Sequence, residues 1–303
     1  MSFSFETKRE LSSVPLADDK ESYALCYGLM LFSKQFTYDE IVFTTENKYI
    51  NECLKTVLTK LYCPMIESLQ SLKLRNSKNQ LITTRLINSE DCNRIYESFG
   101  YSKGDVTLRL NRANITDEKE LSAFLRGAFM SCGSVSNPEK NYHLEFKVPY
   151  RNLANDLLTL LCEVEPCALK PKSVTRQGHF IVYFKDSEQI ADFLTYIGAT
   201  NSAMEIMGAK ALKQVRNITV RKVNSELHNL KKTVDASAKQ TNAILKLMKS
   251  DKYKTLSPEL KEMAQLRLDN PDMSLRDLGE LTSDKISRSG VNHRLKKLMS
   301  YIE

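Results

Sequence analysis

Apolar positions crowd into two stretches, Leu25 to Ser33 and Phe124 to Cys132, each reading as a mostly apolar helix with a glycine at its middle, Gly28 and Gly127. Glycine inside a helix costs about 1 kcal/mol relative to alanine, so its placement needs a reason. Close approach of two helix backbones supplies one, and two such helices predict a packed pair on a pseudo-two-fold axis. The segments downstream of the two helices repeat as well. After the first come an extended run (Glu40 to Thr45), a helix (Lys48 to Leu61), a hairpin-like pair around Asn76-Ser77, and a helix from Ser89 to Phe99 closed by Gly100. After the second come an extended run (Tyr142 to Val148), a helix (Asn152 to Cys162), a pair around Arg176-Gln177-Gly178, and a helix from Ser187 to Ile197 closed by Gly198. Gly28 and Gly127 are 99 positions apart, and Gly100 and Gly198 are 98 apart. Order and spacing together predict an internal duplication.

The strand patterns carry the polar side of the sheets. Tyr142 to Val148 alternates apolar and polar residues, as a sheet with one wet face requires, and His179 to Phe184 is rich in β-branched and aromatic residues. Lys73, Arg75, Arg85, Arg109, Arg112, Lys147, Lys170, Lys172 and Arg176 fall on or beside these predicted strands. Such a face could lie along a duplex, or be only the solvent side of an antiparallel sheet.

From about Val215 to Ser250 the pattern changes. Val220, Val223, Leu227, Leu230 and Val234, spaced by three and four, draw a narrow apolar stripe on an otherwise polar, basic segment. No glycine or proline occurs between Gly208 and Pro258, which predicts a helical strut rather than a slack linker. Three short helices come next. Ser257-Pro258 opens the first, with Leu260, Ala264 and Leu268 on one face, and Asn270-Pro271 ends it. Ser274-Leu275-Arg276-Asp277 starts the second, whose buried side is expected to be Leu275, Leu278 and Leu281. A turn from Thr282 to Lys285 leads to the third, with Val291, Leu295, Leu298 and Ile302 inward and Arg288, Ser289, Asn292, His293, Lys296 and Ser300 outward. Two helices joined by a short turn, the latter with a basic and amide-bearing face, match a helix-turn-helix and its recognition helix. Asn292 can read adenine bidentately, Arg288 or Arg294 can take guanine or phosphate, and Gly290 would let the helix N-terminus come close to a DNA backbone.

Charge sharpens this picture. The 303 residues carry a net charge of +7. From Met207 onward 20 Lys+Arg face 11 Asp+Glu, a surplus of +9, while the preceding residues hold 24 against 26. A basic segment beside a near-neutral body points to a polyanion partner. The remaining composition mainly excludes. Seven scattered cysteines without a Cys-x-x-Cys, and four histidines far apart, argue against a zinc site or disulfide framework and for reduced thiols in a cytoplasm. Neither a signal-peptide pattern nor an apolar run long enough to span a bilayer is present, so no membrane role is expected. No phosphate-binding glycine motif occurs, and no cofactor is expected.

A glycine-centred helix, repeated after roughly a hundred residues and each time leading into strands and helices, resembles the LAGLIDADG homing-endonuclease fold. In that family the penultimate motif residue is an acid, and the two acids hold divalent metal. Aligning on the glycines puts Ser33 and Cys132 at those positions, and neither is a carboxylate. The chain as a whole resembles the WhiA family of sporulation and cell-division regulators. The likeness is carried by Ser287-Arg288-Ser289-Gly290-Val291-Asn292-His293-Arg294-Leu295-Lys296-Lys297-Leu298, by Arg221 to Ile244, and by Tyr23-Ala24-Leu25-Cys26-Tyr27-Gly28. It implies a non-catalytic bacterial DNA-binding protein that regulates transcription.

The expected fold is therefore α+β: a duplicated, pseudo-two-fold LAGLIDADG-like domain of helices and antiparallel sheets, followed by an all-α helix-turn-helix domain. Expected boundaries are 1–104 and 105–215 for the two halves, 216–250 for the basic linker helix and 251–303 for the DNA-binding domain. The expected DNA contacts are Arg276, Lys285, Ser287, Arg288, Ser289, Gly290, Asn292, His293, Arg294, Lys296 and Lys297, joined by Arg221, Lys222, Lys231 and Lys232 on the linker. Promoter duplex DNA is the expected partner, RNA polymerase or a further regulator a secondary one, and the location cytoplasmic at the nucleoid. Two other readings compete. A nucleoid or cell-division adaptor would bind DNA loosely, and a metal-dependent endonuclease would need the acids that Ser33 and Cys132 do not supply.

Overall fold

A computed structural model describes residues 2–72 and 80–301, so the expected hairpin tip at Asn76-Ser77 and the residues Lys73, Arg75 and Ile302 lie outside the described residues. The chain divides into two compact units, Met1–Lys213 and Gln214–Glu303.

The first unit is built on the two glycine-centred helices, α2 (Asp19–Leu31) and α5 (Glu118–Cys132), preceded by α1 (Phe3–Ser12). A Cβ on Gly28 would sit 2.2 Å from the Phe124 carbonyl oxygen, and one on Gly127 would sit 2.4 Å from that of Leu25. Only hydrogen fits between the backbones, which is what the two mid-helix glycines provide. The duplication reaches into the helix caps. Asp18 accepts from the Glu21 amide and Asp117 from the Glu120 amide. Each of those glutamates reaches back, Glu21 Oε2 to the Ala17 amide at 2.9 Å and Glu120 Oε2 to the Thr116 amide at 2.6 Å. Both helices thus start with the same variant of a capping box, in which the glutamate reaches the residue before the cap, again 99 positions apart.

Around this pair the two halves repeat one architecture. In the first, β1 (Gln35–Phe36), β2 (Ile41–Thr45), β3 (Ile66–Leu72) and β4 (Gln80–Leu86) form an antiparallel sheet of order β1-β2-β4-β3, with α3 (Lys48–Tyr62) and α4 (Ser89–Ser98). In the second, β5 (Gly133–Val135), β6 (Leu144–Val148), β7 (Lys172–Arg176) and β8 (His179–Phe184) form a sheet of order β5-β6-β8-β7, with α6 (Arg151–Cys162) and α7 (Ser187–Tyr196). The β7–β8 turn holds Gln177 and Gly178 at φ of +50° and +78°, the pair of positive values that a two-residue hairpin needs. Tyr27, Phe99, Phe124, Phe129, Phe146 and Phe193 are buried at the centre of the core.

Helix α8 (Thr200–Met248) starts before the change of pattern at Val215 and runs through Gly208 without a break. The second unit comprises its later turns with α9 (Pro258–Asp269), α10 (Leu275–Leu281) and α11 (Arg288–Ser300). Ile244, Leu247, Leu260, Met263, Ala264, Leu278, Val291, Leu295 and Leu298 form its core. Leu281 departs from expectation: it is 49% exposed, and Gly279 and Thr282 are buried in its place. The helix ends at Leu281, so the buried stripe passes to the turn instead of continuing to a third leucine. Arg267 is the largest surprise in this core, 1% exposed, donating to Gln240 Oε1 at 3.0 Å and to the Met273 carbonyl at 2.7 Å. Burial pulls its guanidinium below the ordinary value, with Asp272 opposing the shift.

Candidate nucleic-acid interface

Helices α10 and α11 meet through a tight turn. A Cβ on Gly279 would lie 2.2 Å from the Ile286 carbonyl oxygen, so glycine is what lets the turn close onto the helix. Thr282 Oγ1 donates to the Gly279 carbonyl at 2.7 Å and accepts from the Ile286 amide at 3.2 Å. Lys285 completes the turn at φ +44° and is exposed. Glu262 on α9 holds the outer side, accepting from the Ser283 amide at 2.8 Å and from its hydroxyl at 3.0 Å. Ser287 caps α11, and its hydroxyl is 2.8 Å from that of Ser289.

The outward face of α11 carries Arg288, Ser289, His293, Lys296 and Lys297, all exposed, with Asn292 half-buried beside them. Two expected contacts turn inward. The Arg294 side chain is only 15% exposed, with Nη2 3.3 Å from Glu259 and 3.4 Å from Asp284. Two carboxylates thus hold it within the unit, tying α11 to α9 and to the turn. Gly290 faces the turn as well: a Cβ there would sit 3.3 Å from that of Ile286.

Lys232, Arg276 and Arg288 come together around one cleft of about 460 Å³, lined also by Gln240, Arg267 and Ser274. Sequence spacing hides this grouping, because the three cations belong to three different helices. Arg221, Lys222 and Lys231 are exposed on α8 and lie outside the cleft. The supports beneath the interface were not legible either: the Arg267–Gln240 bond and the hydrogen bond from the Ser237 hydroxyl to the Pro271 carbonyl, which fastens α8 to the end of α9. Gly279 alone left a signal, a glycine inside a short apolar helix like Gly28.

In the first unit neither Ser33 nor Cys132 presents a carboxylate. Ser33 is buried, and its hydroxyl donates to the Gln35 carbonyl at 3.0 Å. Burial pushes the Cys132 thiol up to about 12, with Lys8 opposing, which keeps it protonated near neutrality. Lys8 in turn is lowered to about 8 by burial, with Cys132 opposing, and its ammonium lies 5.9 Å from the centre of the Phe129 ring. Among the described residues no group of three or more His, Cys, Asp or Glu could hold a metal.

The basic residues of the sheets divide into two groups. Arg85 pairs with Glu67 at 3.2 Å, Arg109 with Asp156 at 2.6 Å, and Arg112 with Glu163. Arg109 and Arg112 lie in the connection between α4 and α5 rather than beside strands. Lys147, Lys172 and Arg176 stay exposed. The register pairs Lys147 with Ile181, Lys172 with Tyr183 and Arg176 with His179, so all three share the sheet face opposite Phe146.

Comparison with known proteins matches residues 121–216 to the family model described as the WhiA LAGLIDADG-like domain and residues 219–302 to the WhiA C-terminal HTH domain. A probable cell division protein WhiA of Clostridium tetani is 34% identical over 317 residues, spanning 100% of this chain and 98% of its own length. That of Enterococcus faecalis is 34% identical over 313 residues, with coverage of 100% and 98%. The crystal structure of full-length DUF199/WhiA from Thermatoga maritima superposes with a TM-score of 0.59 at 23% identity, covering 100% of this chain and 98% of that one, a likeness of fold. Among the described residues no helix is long and apolar enough to cross a membrane.

Proposed function

The chain belongs to the WhiA family, and on that premise we propose that it is a bacterial transcription regulator of cell division and sporulation that reads promoter DNA with α10 and α11. The observation that carries this reading is the exposed face of α11 standing beside a cleft that gathers Lys232, Arg276 and Arg288 from three helices. Cations converging in this way suit a phosphate oxygen, and such contacts set position while base edges set specificity. Asn292 is the residue proposed to read a base, Arg288 to meet guanine or phosphate, and His293, Lys296 and Lys297 to meet the backbone. Ser287, Ser289 and Lys285 border the same face. Arg221, Lys222 and Lys231 extend the positive field along α8, and RNA polymerase or a further regulator is the proposed protein partner.

The LAGLIDADG-like body is proposed to be non-catalytic. A buried serine hydroxyl committed to the Gln35 carbonyl and a protonated thiol are poor ligands for a hard divalent cation, which takes charged oxygens. Its face of Lys147, Lys172 and Arg176 is proposed to add sequence-independent contacts.

Affinity measured on matched and mutated promoter duplexes tests the reading. Asn292→Ala should flatten discrimination at one base pair, worth about 1–3 kcal/mol, whereas Lys296→Ala should weaken all duplexes alike and reduce the salt slope by about one. An Asn292→Ala variant that loses affinity without losing preference contradicts base reading by that residue.

A further inference from the structure

The apolar stripe of α8 is unabsorbed by the DNA-binding reading. Val220, Val223, Leu227, Leu230 and Val234 are each 45–60% exposed although their spacing is that of a packed seam. The next positions of the same seam, Ser237, Thr241 and Ile244, are covered by the second unit itself: Ser237 bonds to the Pro271 carbonyl, Thr241 Oγ1 is buried, and Ile244 belongs to the core. One continuous seam is therefore covered from Ser237 onward and bare before it.

We propose that the bare part is the seam of a parallel two-stranded coiled coil between two copies of this chain. Reading Val220, Leu227 and Val234 as a positions makes Val223 and Leu230 the d positions. Two of the three a positions are valine and one of the two d positions is leucine, the leaning that favours two strands. Charge selects the occupant and its direction. Glu226 falls at g and Lys231 at e of the next heptad, and a parallel pair places each g against the partner's following e. Two identical Glu226–Lys231 pairs result by symmetry. The other flanking positions, Asn224, Thr233, Ala238 and Gln240, are uncharged, so nothing repels. An antiparallel pair would instead set e against e and g against g, bringing like charges together. Arg221, Lys222 and Lys232 fall at b, c and f, away from the seam, so pairing leaves them free for phosphate, and Lys231 at the rim keeps its place in the positive field of α8 while facing the partner copy's Glu226. The proposal rests on this register alone and stands or falls independently of DNA reading.

The test is sedimentation equilibrium of the full chain in reducing buffer without DNA. A seam of about two heptads is short, so the dimer should populate at protein concentrations on the order of 10–100 µM. Leu227→Asp with Leu230→Asp should leave only monomer with the helical circular dichroism unchanged. Glu226→Lys should weaken the dimer at least about threefold, and adding Lys231→Glu should restore it. Leu230→Cys, oxidised beside the parent protein, should give a new disulfide-linked dimer, because only a parallel pair puts two d positions face to face. Monomer throughout the range overturns the proposal and leaves the stripe to a helix of another protein. So does a dimer indifferent to the aspartates, or one that Leu230→Cys fails to link.

Discussion

At the residue scale the fold turns on where a single atom is missing. Gly28 and Gly127 leave no space for a methyl group, since its nearest neighbours would be backbone oxygens at 2.2 and 2.4 Å. Gly28→Ala should destabilise the first unit by at least about 3 kcal/mol in urea unfolding, because backbone cannot step aside as a side chain can. Gly208 has nothing within 4 Å of the same hypothetical atom, and Gly208→Ala should stabilise α8 by about 1 kcal/mol. Lys8 offers a charge counterpart to these steric cases. Its ammonium is lowered from 10.5 in the unfolded chain to about 8 in the fold, so between these values the unfolded state binds more protons. Stability contributed by this group therefore rises with pH through that window. Subtracting the pH profile of Lys8→Met from that of the parent should isolate this rise, and a flat difference would mean that Lys8 is solvated.

At the element scale, sequence legibility followed periodicity and failed at long-range polar contacts. The two motif helices, the other helices and longer strands of each half and the three C-terminal helices were readable, because apolar spacing and glycine breaks are local signals, whereas the short strands β1 and β5 are too brief to show a period. Helix α1 was not anticipated: its buried residues are Phe3, Thr7 and Leu11, too few apolar positions to announce a helix. Leu281 and Arg294 misled for one reason: helical spacing assigns a residue to a face but does not say where the helix stops or which carboxylates wait nearby. Glu259 and Asp284 lie 35 and 10 positions from Arg294 in sequence. Arg294→Ala should consequently lower the urea midpoint of the second unit by the equivalent of about 1 kcal/mol, since the guanidinium is covered while both carboxylates stay more than half exposed. Lys296→Ala, fully on the surface, should leave that midpoint unchanged while reducing DNA affinity. The reverse pattern would restore Arg294 to the interface.

At the scale of the whole molecule, a duplicated fold that resembles a nuclease scaffold is joined to a helix-turn-helix within one family. The duplication was legible in two pairs of matched glycines, and the caps at Asp18 and Asp117 add a third pair that only hydrogen bonding reveals. The basic cleft of Lys232, Arg276 and Arg288 was legible only as three separate cations, because their convergence depends on how α8, α10 and α11 pack.

The most direct measurement is a titration of the full chain against labelled promoter fragments and random duplex, at two salt concentrations with Mg²⁺ present. The regulator reading predicts tight binding to particular promoters that persists at the higher salt and leaves the DNA intact. Binding that vanishes with salt on every duplex, or cleavage of the bound DNA, would contradict it.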